Sequence, residues 1–244
     1  MSSKKKDSKE PAKVALVTGG NQGIGLAVCK GLAAAGIQVV LSGRSEERVR
    51  KAVKSLKKKD LPVVGLTLDV TSEMSVLKAE QFVHREFGRL DILINNAAVL
   101  LDTESTRTIE RIRIDIVKQT HEVNFYGALR MIQAFLPRMK SQNFGRIVNV
   151  SSGLGQLHKS RPHYVAYQTS KTALNSLTCL VAADTADYDI ACNSMTPGWV
   201  RTNMGGPNAD RTPKEGADTI IWLATQESKE PNGKFFRDRE EIPW

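Results

Sequence analysis

The sequence predicts an α/β fold: one doubly wound, parallel sheet with helices on both faces. Three observations predict it. Short apolar runs suited to buried strands alternate with longer segments of helical periodicity. The first such run leads straight into a glycine-rich turn and then a helix. Polar or small residues recur where the runs end, at the carboxyl edge where open α/β sheets bind ligands.

The bulk properties agree. The chain has 244 residues, 41% of them hydrophobic and 25% charged, enough for one substantial core. We expect a single domain over residues 13–244, with no internal repeat. Net charge is +9. A nucleic-acid surface is one reading of that excess. Part of it, however, lies in residues 1–13, where Lys4, Lys5, Lys6, Lys9 and Lys13 face only Asp7 and Glu10. Residues 1–12 read as a disordered, solubilising tail, and no nucleic-acid partner is expected. Lys4–Lys6 are followed by charge rather than an apolar run, which argues against a secretory signal. No stretch is apolar enough to predict a membrane span. Cys29, Cys179 and Cys192 form no CxxC and suggest free thiols in a cytoplasmic protein. The four His show no ligand spacing, so no metal is expected.

The elements follow in order. Lys13–Thr18 is a strand, and Thr18-Gly19-Gly20-Asn21-Gln22-Gly23-Ile24-Gly25 the turn after it. Glycines allow close backbone approach to a phosphate, and the helix start offers free N–H groups and the positive end of its dipole. A tight turn without a ligand is the plainer alternative. The helix runs over Leu26–Ala35 and stops at Gly36. Ile37–Ser42 is the second strand, ending at Gly43-Arg44, with Arg48 one helical turn on. An acidic residue there would hold a ribose 2′-hydroxyl; an Arg fork suits a 2′-phosphate, so these two arginines favour NADP over NAD. Alternatively, Arg44 merely begins the charged helix Glu46–Lys59. Pro62–Leu68 is the third strand, ending at Asp69-Val70. Asp69 either contacts an adenine or caps the next helix, Ser72–Phe87. Leu90–Ile94 is the fourth strand, and Asn95-Asn96-Ala97-Ala98 can line a cofactor cleft. Thr108–Lys140 reads mostly as one long helix. Arg146–Val150 is the fifth strand, with Ser151-Ser152 at its end. Val165–Ala186 is a helix, Ile190–Met195 the sixth strand, Thr212–Ala224 a helix, and Gly233–Phe236 the last strand.

The chemistry centres on Tyr167-Gln168-Thr169-Ser170-Lys171. Positions i and i+4 share a helix face, so Tyr167 and Lys171 point the same way. An ammonium beside a phenol favours the phenolate and lowers its pKa, giving a proton donor usable near neutrality. Ser152 can bond the same reacting oxygen. Tyr164 competes, but its i+4 neighbour is Gln168. His158 or His163 with a serine would suggest a hydrolase; no GxSxG elbow supports it.

Taken together, TGGNQGIG, Asn95-Asn96-Ala97-Ala98, Asn124, Ser152 and Tyr167-x3-Lys171 resemble the classical short-chain dehydrogenase/reductase family. PGWVRTNM, Gly233–Phe236 and Trp244 are similar to its carbonyl reductase branch, without that branch's insertion before the catalytic Tyr. The resemblance implies a Rossmann-type, seven-stranded sheet in the order 3-2-1-4-5-6-7. It implies NADPH-dependent reduction of a small-molecule ketone, aldehyde or quinone, with Tyr167 as general acid. Ser152 would position the substrate oxygen, Lys171 would tune Tyr167, and Asn124 would anchor a water relay to Lys171. The cofactor site would comprise Gly19, Asn21, Gln22, Gly23, Ile24 and Gly25; Arg44 and Arg48; Asp69, Val70, Asn96 and Ala97; Tyr167 and Lys171; and Pro197, Gly198, Val200 and Thr202. Gln22 stands where many NADP-using relatives carry a basic residue. Lacking the insertion leaves the family's association surface open to a homodimer or homotetramer. The alternatives are an NAD-preferring alcohol dehydrogenase of the same family and a non-catalytic NADPH-binding regulatory protein.

Overall fold

A computed structural model describes residues 12–106, 108–160 and 162–244. The expected N-terminal tail lies, but for Ala12, outside them. The elements are β1 (Val14–Val17), α1 (Gly23–Ala34), β2 (Gln38–Gly43), α2 (Glu46–Lys57), β3 (Val63–Thr67), α3 (Glu73–Phe87), β4 (Ile92–Asn95), α4 (Ile114–His121), α5 (Gly127–Ser141), β5 (Gly145–Val150), α6 (Val165–Asp184), β6 (Ile190–Met195), α7 (Pro213–Ala224), β7 (Phe235–Arg237) and β8 (Glu240–Glu241).

Strands β1, β2, β4, β5 and β6 are buried on both faces, which is why their sequences read as largely apolar runs. Alternate residues face opposite ways. Ala15 and Val17 join Val28, Leu32, Val49 and Ile220 in a core beneath α1, α2 and α7. Val14 and Leu16 join Val83, Met131, Phe135 and Leu174 in a core beneath α3, α5 and α6. The sheet order is β3-β2-β1-β4-β5-β6-β7-β8. The first seven strands run parallel, as expected; β8 is a further, antiparallel edge strand pairing Phe236 with Glu241 and Arg237 with Glu240. It is two residues long and polar, so no hydrophobic pattern announces it.

Order reverses between β1 and β4, which opens a crevice at their carboxyl ends. Polar side chains brace this edge. The Asn95 amide donates to Asn149 Oδ1 (2.9 Å), the Asn149 amide donates to Thr178 Oγ1 (2.9 Å), and Thr178 and Ser194 share a hydroxyl–hydroxyl bond (2.8 Å). These four buried groups tie β4, β5, β6 and α6 together.

The helix expected over most of 108–140 begins later and changes its winding midway. It starts at Ile114 and changes to a π-helical turn over Glu122–Tyr126 before resuming as α5. The wider turn carries Asn124 inward, where it is 2% exposed. Ser72 rather than Asp69 caps α3, accepting from Ser75 N.

Candidate active site

The glycine turn places backbone at the crevice. Gly19 and Gly23 adopt φ of +63° and +55°, which side chains rarely tolerate. A Cβ on Gly25 would sit 2.4 Å from the Gly19 carbonyl oxygen and 2.6 Å from Asn96 Nδ2. The start of α1 is left open to an anion. Gln22 precedes it without a side-chain cap, and its first turn holds no acidic residue. Its free N–H groups and positive dipole end fit a phosphate.

Asn96 and Thr18 hold that turn against β4. Asn96 Nδ2 donates to the carbonyls of Thr18 (2.8 Å) and Gly19 (3.2 Å). Thr18 Oγ1 accepts from the backbone N–H of Asn96 (2.9 Å) and Ala97 (3.0 Å). The Asn96 amide therefore shapes the loop, leaving contact with a ligand to its other atoms.

One cleft of about 1520 Å³ runs along the carboxyl edge. Its walls bring together Ser152, Tyr167, Lys171 and all the expected cofactor residues. Arg44, Arg48, Asp69 and Val70 stand at one end, the glycine turn and Asn96-Ala97 in the middle, and Pro197, Gly198, Val200 and Thr202 on the facing strap. Arg44 and Arg48 are exposed, and among the described residues neither is tied up in an ion pair. Asp69 Oδ1 accepts from Thr71 N (3.0 Å) and Thr71 Oγ1 (2.8 Å), which fixes the carboxylate at the cleft. The strap closes on the glycine turn, with Asn203 Nδ2 donating to Gln22 Oε1 at 3.5 Å.

Asn124 does not line the cleft. Its Oδ1 accepts from Val99 N (2.8 Å), and its Nδ2 donates to Val99 O (2.9 Å) and Ser170 Oγ (3.0 Å). The side chain is committed to Val99 and Ser170.

The groups expected to carry the chemistry sit on α6 and at the end of β5. Tyr167 is 8% exposed and Lys171 2%, both on the inner face of α6. The Ser152 hydroxyl hydrogen-bonds the Tyr167 phenol and also accepts from Leu154 N at 3.1 Å. Ser151, 2% exposed, instead donates to the Lys171 carbonyl at 3.4 Å. Lys171 Nζ donates to Val150 O at 2.8 Å and lies 5.6 Å from the centroid of the Tyr167 ring.

The electrostatics correct one expectation. Burial pushes the Tyr167 phenol up to about 12, with the Ser152 bond pulling the other way. Burial also pushes the Lys171 ammonium down to about 7. The lysine therefore does not lower the phenol's pKa here, because desolvation penalises both charged forms. Tyr167 is held protonated, ready to donate.

The far end of the cleft is apolar. Leu100, Leu154, Pro162, Tyr164, Trp199 and Met204 line it. Gln156, buried, donates to Pro243 O at 2.6 Å, and Trp244 stacks on Phe235 at 5.4 Å, so the last residues secure the 153–160 segment. His158 and His163 do not line the cleft, which leaves the hydrolase reading without support. Among the described residues no cluster of His, Cys, Asp or Glu could hold a metal, and no helix is long and apolar enough to cross a membrane.

Sequence comparison follows the same lines. A profile of the short chain dehydrogenase family matches residues 13–213. (+)-Neomenthol dehydrogenase of Arabidopsis thaliana is 31% identical, the alignment covering 96% of this chain and 98% of that protein. Carbonyl reductase [NADPH] 1 of Bos taurus is 31% identical, covering 95% and 98%. Among solved structures, the NADPH-bound carbonyl reductase from chicken fatty liver superposes with a TM-score of 0.85 at 26% identity, covering 96% of this chain and 100% of that one. A gluconate 5-dehydrogenase from Burkholderia cenocepacia, in complex with NADP and tartrate, gives 0.84 at 26% identity, covering 93% and 94%. With its glycine turn, its Ser–Tyr–Lys cleft and this sequence match, the chain belongs to the short-chain dehydrogenase family.

Proposed function

We propose that the protein is an NADPH-dependent carbonyl reductase acting on ketones, aldehydes or quinones with an apolar body. The observation that carries this is the meeting, in one cleft, of a protonated Tyr167 bonded to Ser152 with an anion-ready turn and two free arginines. The residues fit a phosphorylated dinucleotide. The α1 N-terminus would take the pyrophosphate, Arg44 and Arg48 the 2′-phosphate, Asp69 and Val70 the adenine end, and Lys171 the nicotinamide ribose. When bound, that cofactor supplies the hydride to the carbonyl carbon.

The chain's own groups do the rest. Ser152 holds the substrate oxygen against the Tyr167 phenol. Tyr167 gives its proton to that oxygen as negative charge develops there, and an alcohol results. Lys171 Nζ, held on Val150 O beside the Tyr167 ring, would bind the cofactor's ribose, and burial excludes water from the exchange. Leu154, Tyr164 and Trp199 offer apolar and aromatic surface to the body of the substrate. The three cysteines are unpaired, in keeping with a cytoplasmic site of action.

The test is the initial rate with NADPH, and separately NADH, against aromatic ketones, quinones and cyclic terpenoid ketones. Turnover favouring NADPH is expected. Turnover mainly with NADH would retain the mechanism and overturn the role of Arg44. Tight NADPH binding with no turnover across the panel would replace the enzyme by a cofactor-binding regulator.

A further inference from the structure

The helix that carries Tyr167 does not cap itself. Tyr164, the residue before α6, is left-handed (φ 57°, ψ 43°) and makes no side-chain cap bond, and the first turn has no acidic residue. Unpartnered N–H groups at a buried helix start are costly. Here the partner comes from far away in sequence. Asp102, 6% exposed, lies on the segment leaving β4. Its Oδ1 accepts from Ala166 N at 3.0 Å and its Oδ2 from Tyr167 N at 3.1 Å.

The carbonyl of the same residue is held from the same segment through two side chains. Ser170 Oγ donates to Tyr167 O at 2.7 Å and accepts from Asn124 Nδ2 at 3.0 Å. Asn124 in turn brackets Val99 through both N–H and carbonyl. Segment 99–102 thus grips Tyr167 at its N–H directly and at its carbonyl through two side chains. That segment begins at Asn96-Ala97, which Thr18 fastens to the glycine turn.

We infer that Asp102 is a positioning residue that sets the depth and angle of Tyr167 relative to Ser152 and the nicotinamide end of the cleft. A carboxylate is the group the geometry demands. Both oxygens accept, and each bond to the charged group is strong. An amide offers one acceptor and turns its NH2 toward the other N–H. The inference rests on the reading of Tyr167 as proton donor.

The test compares Asp102→Asn, Asp102→Ala and Tyr167→Phe in the full chain by steady-state kinetics, NADPH titration and thermal melting. Because small misplacements of a reacting group cost large factors in rate, kcat should fall about tenfold in Asp102→Asn and about a hundredfold in Asp102→Ala. KM and the NADPH Kd should stay within about twofold, since neither bond touches substrate or cofactor directly. The pH profile of kcat should shift upward in its phenol limb, because a displaced Tyr167 loses the Ser152 bond that pulls its pKa down. A kcat for Asp102→Asn within twofold of the parent overturns the inference. So does a parallel loss of kcat and NADPH affinity, which would mark Asp102 as support for the whole cleft. If Asp102→Ala fails to fold, Asp102→Asn decides alone. An active Tyr167→Phe would sink the underlying mechanism. An inert Tyr167→Phe beside an unimpaired Asp102→Asn would sink only the positioning role.

Discussion

The two ends of the cleft are built on different principles. The cofactor end is made of strand termini and backbone. Its glycine turn is bonded to β2 through Gly20 N and Ser42 O (2.7 Å) and to β4 through Thr18 and Asn96. The substrate end is made of connecting segments. Trp199 is 56% exposed and Met204 45%, and His163 and Tyr164 hold left-handed backbone. One end is shaped to a fixed group and the other offers apolar area to a body of unspecified outline. Under the proposed function, the place of the pyrophosphate is set by backbone geometry, whereas the choice of 2′-phosphate at Arg44 and Arg48 and the preference among substrates rest on replaceable side chains.

The largest expected effect lies where the two ends meet. Tyr167→Phe should reduce kcat by about 10²–10⁴-fold, the usual contribution of general acid catalysis, with NADPH affinity unchanged. Retention of most activity would mean that neither end has been read correctly. At the cofactor end, Arg44→Ala should lower the ratio of NADPH to NADH efficiency by about 10–100-fold, the worth of a charge-assisted hydrogen bond. An unchanged ratio would remove Arg44 from the phosphate site and blunt the comparison.

The boundary between the ends also has a pH signature. Lys171 has a pKa of about 7 in the fold against 10.5 for an ordinary lysine, so between these values the unfolded chain binds more protons than the folded one. Stability therefore rises with pH across that window, and it loses this contribution as pH falls toward 7. Denaturant titrations at pH 7, 8 and 9 should show a slope of at most about 1.4 kcal/mol per pH unit that Lys171→Met lacks. Above pH 9 the buried thiols of Cys29 and Cys192, raised by burial, oppose it, so the lower window is diagnostic. Matching slopes in both proteins would mean that Lys171 is charged in the fold. The smallest effect belongs to the substrate end. Trp199→Ala should change KM for aromatic ketones a few-fold, about 1 kcal/mol or less for a half-exposed ring, and leave cofactor affinity alone. A collapse in NADPH binding would show that the strap belongs to the cofactor end after all.

The same contrast decides what was legible in the sequence. The glycine turn, Arg44, Ser152 and the Tyr167–Lys171 pair announce themselves because each requirement is local: a strand, a tight turn, a helical spacing. The six longer parallel strands were visible as apolar runs, and the short β7 as Gly233–Phe236. Asp102 was not visible, since a single acid after β4 acquires meaning only when α6 arrives beside it, 64 residues on. The Asn96 staple and the cap at Ser72 belong to the same class of partner choices made by tertiary geometry. The phenol's pKa was misjudged for a related reason: i+4 spacing gives proximity to Lys171, but not the burial that outweighs it. The π turn escaped because its residues suit an α-helix equally well.

That turn has a consequence of its own. An α-helix advances each residue by about 100°, so its faces are locked in phase from end to end. Five residues wound as a π turn break the phase between α4 and α5. Thr120 on α4 and Met131 and Phe135 on α5 can then be buried without one rotation dictating the other. Deleting a single residue between Glu122 and Tyr126 would leave the helix nearly as long and better bonded, yet swing Asn124 away from Val99 and Ser170. For this stretch of chain, angular register matters more than length, and an insertion or deletion tolerated elsewhere on the surface would here be read out at Tyr167.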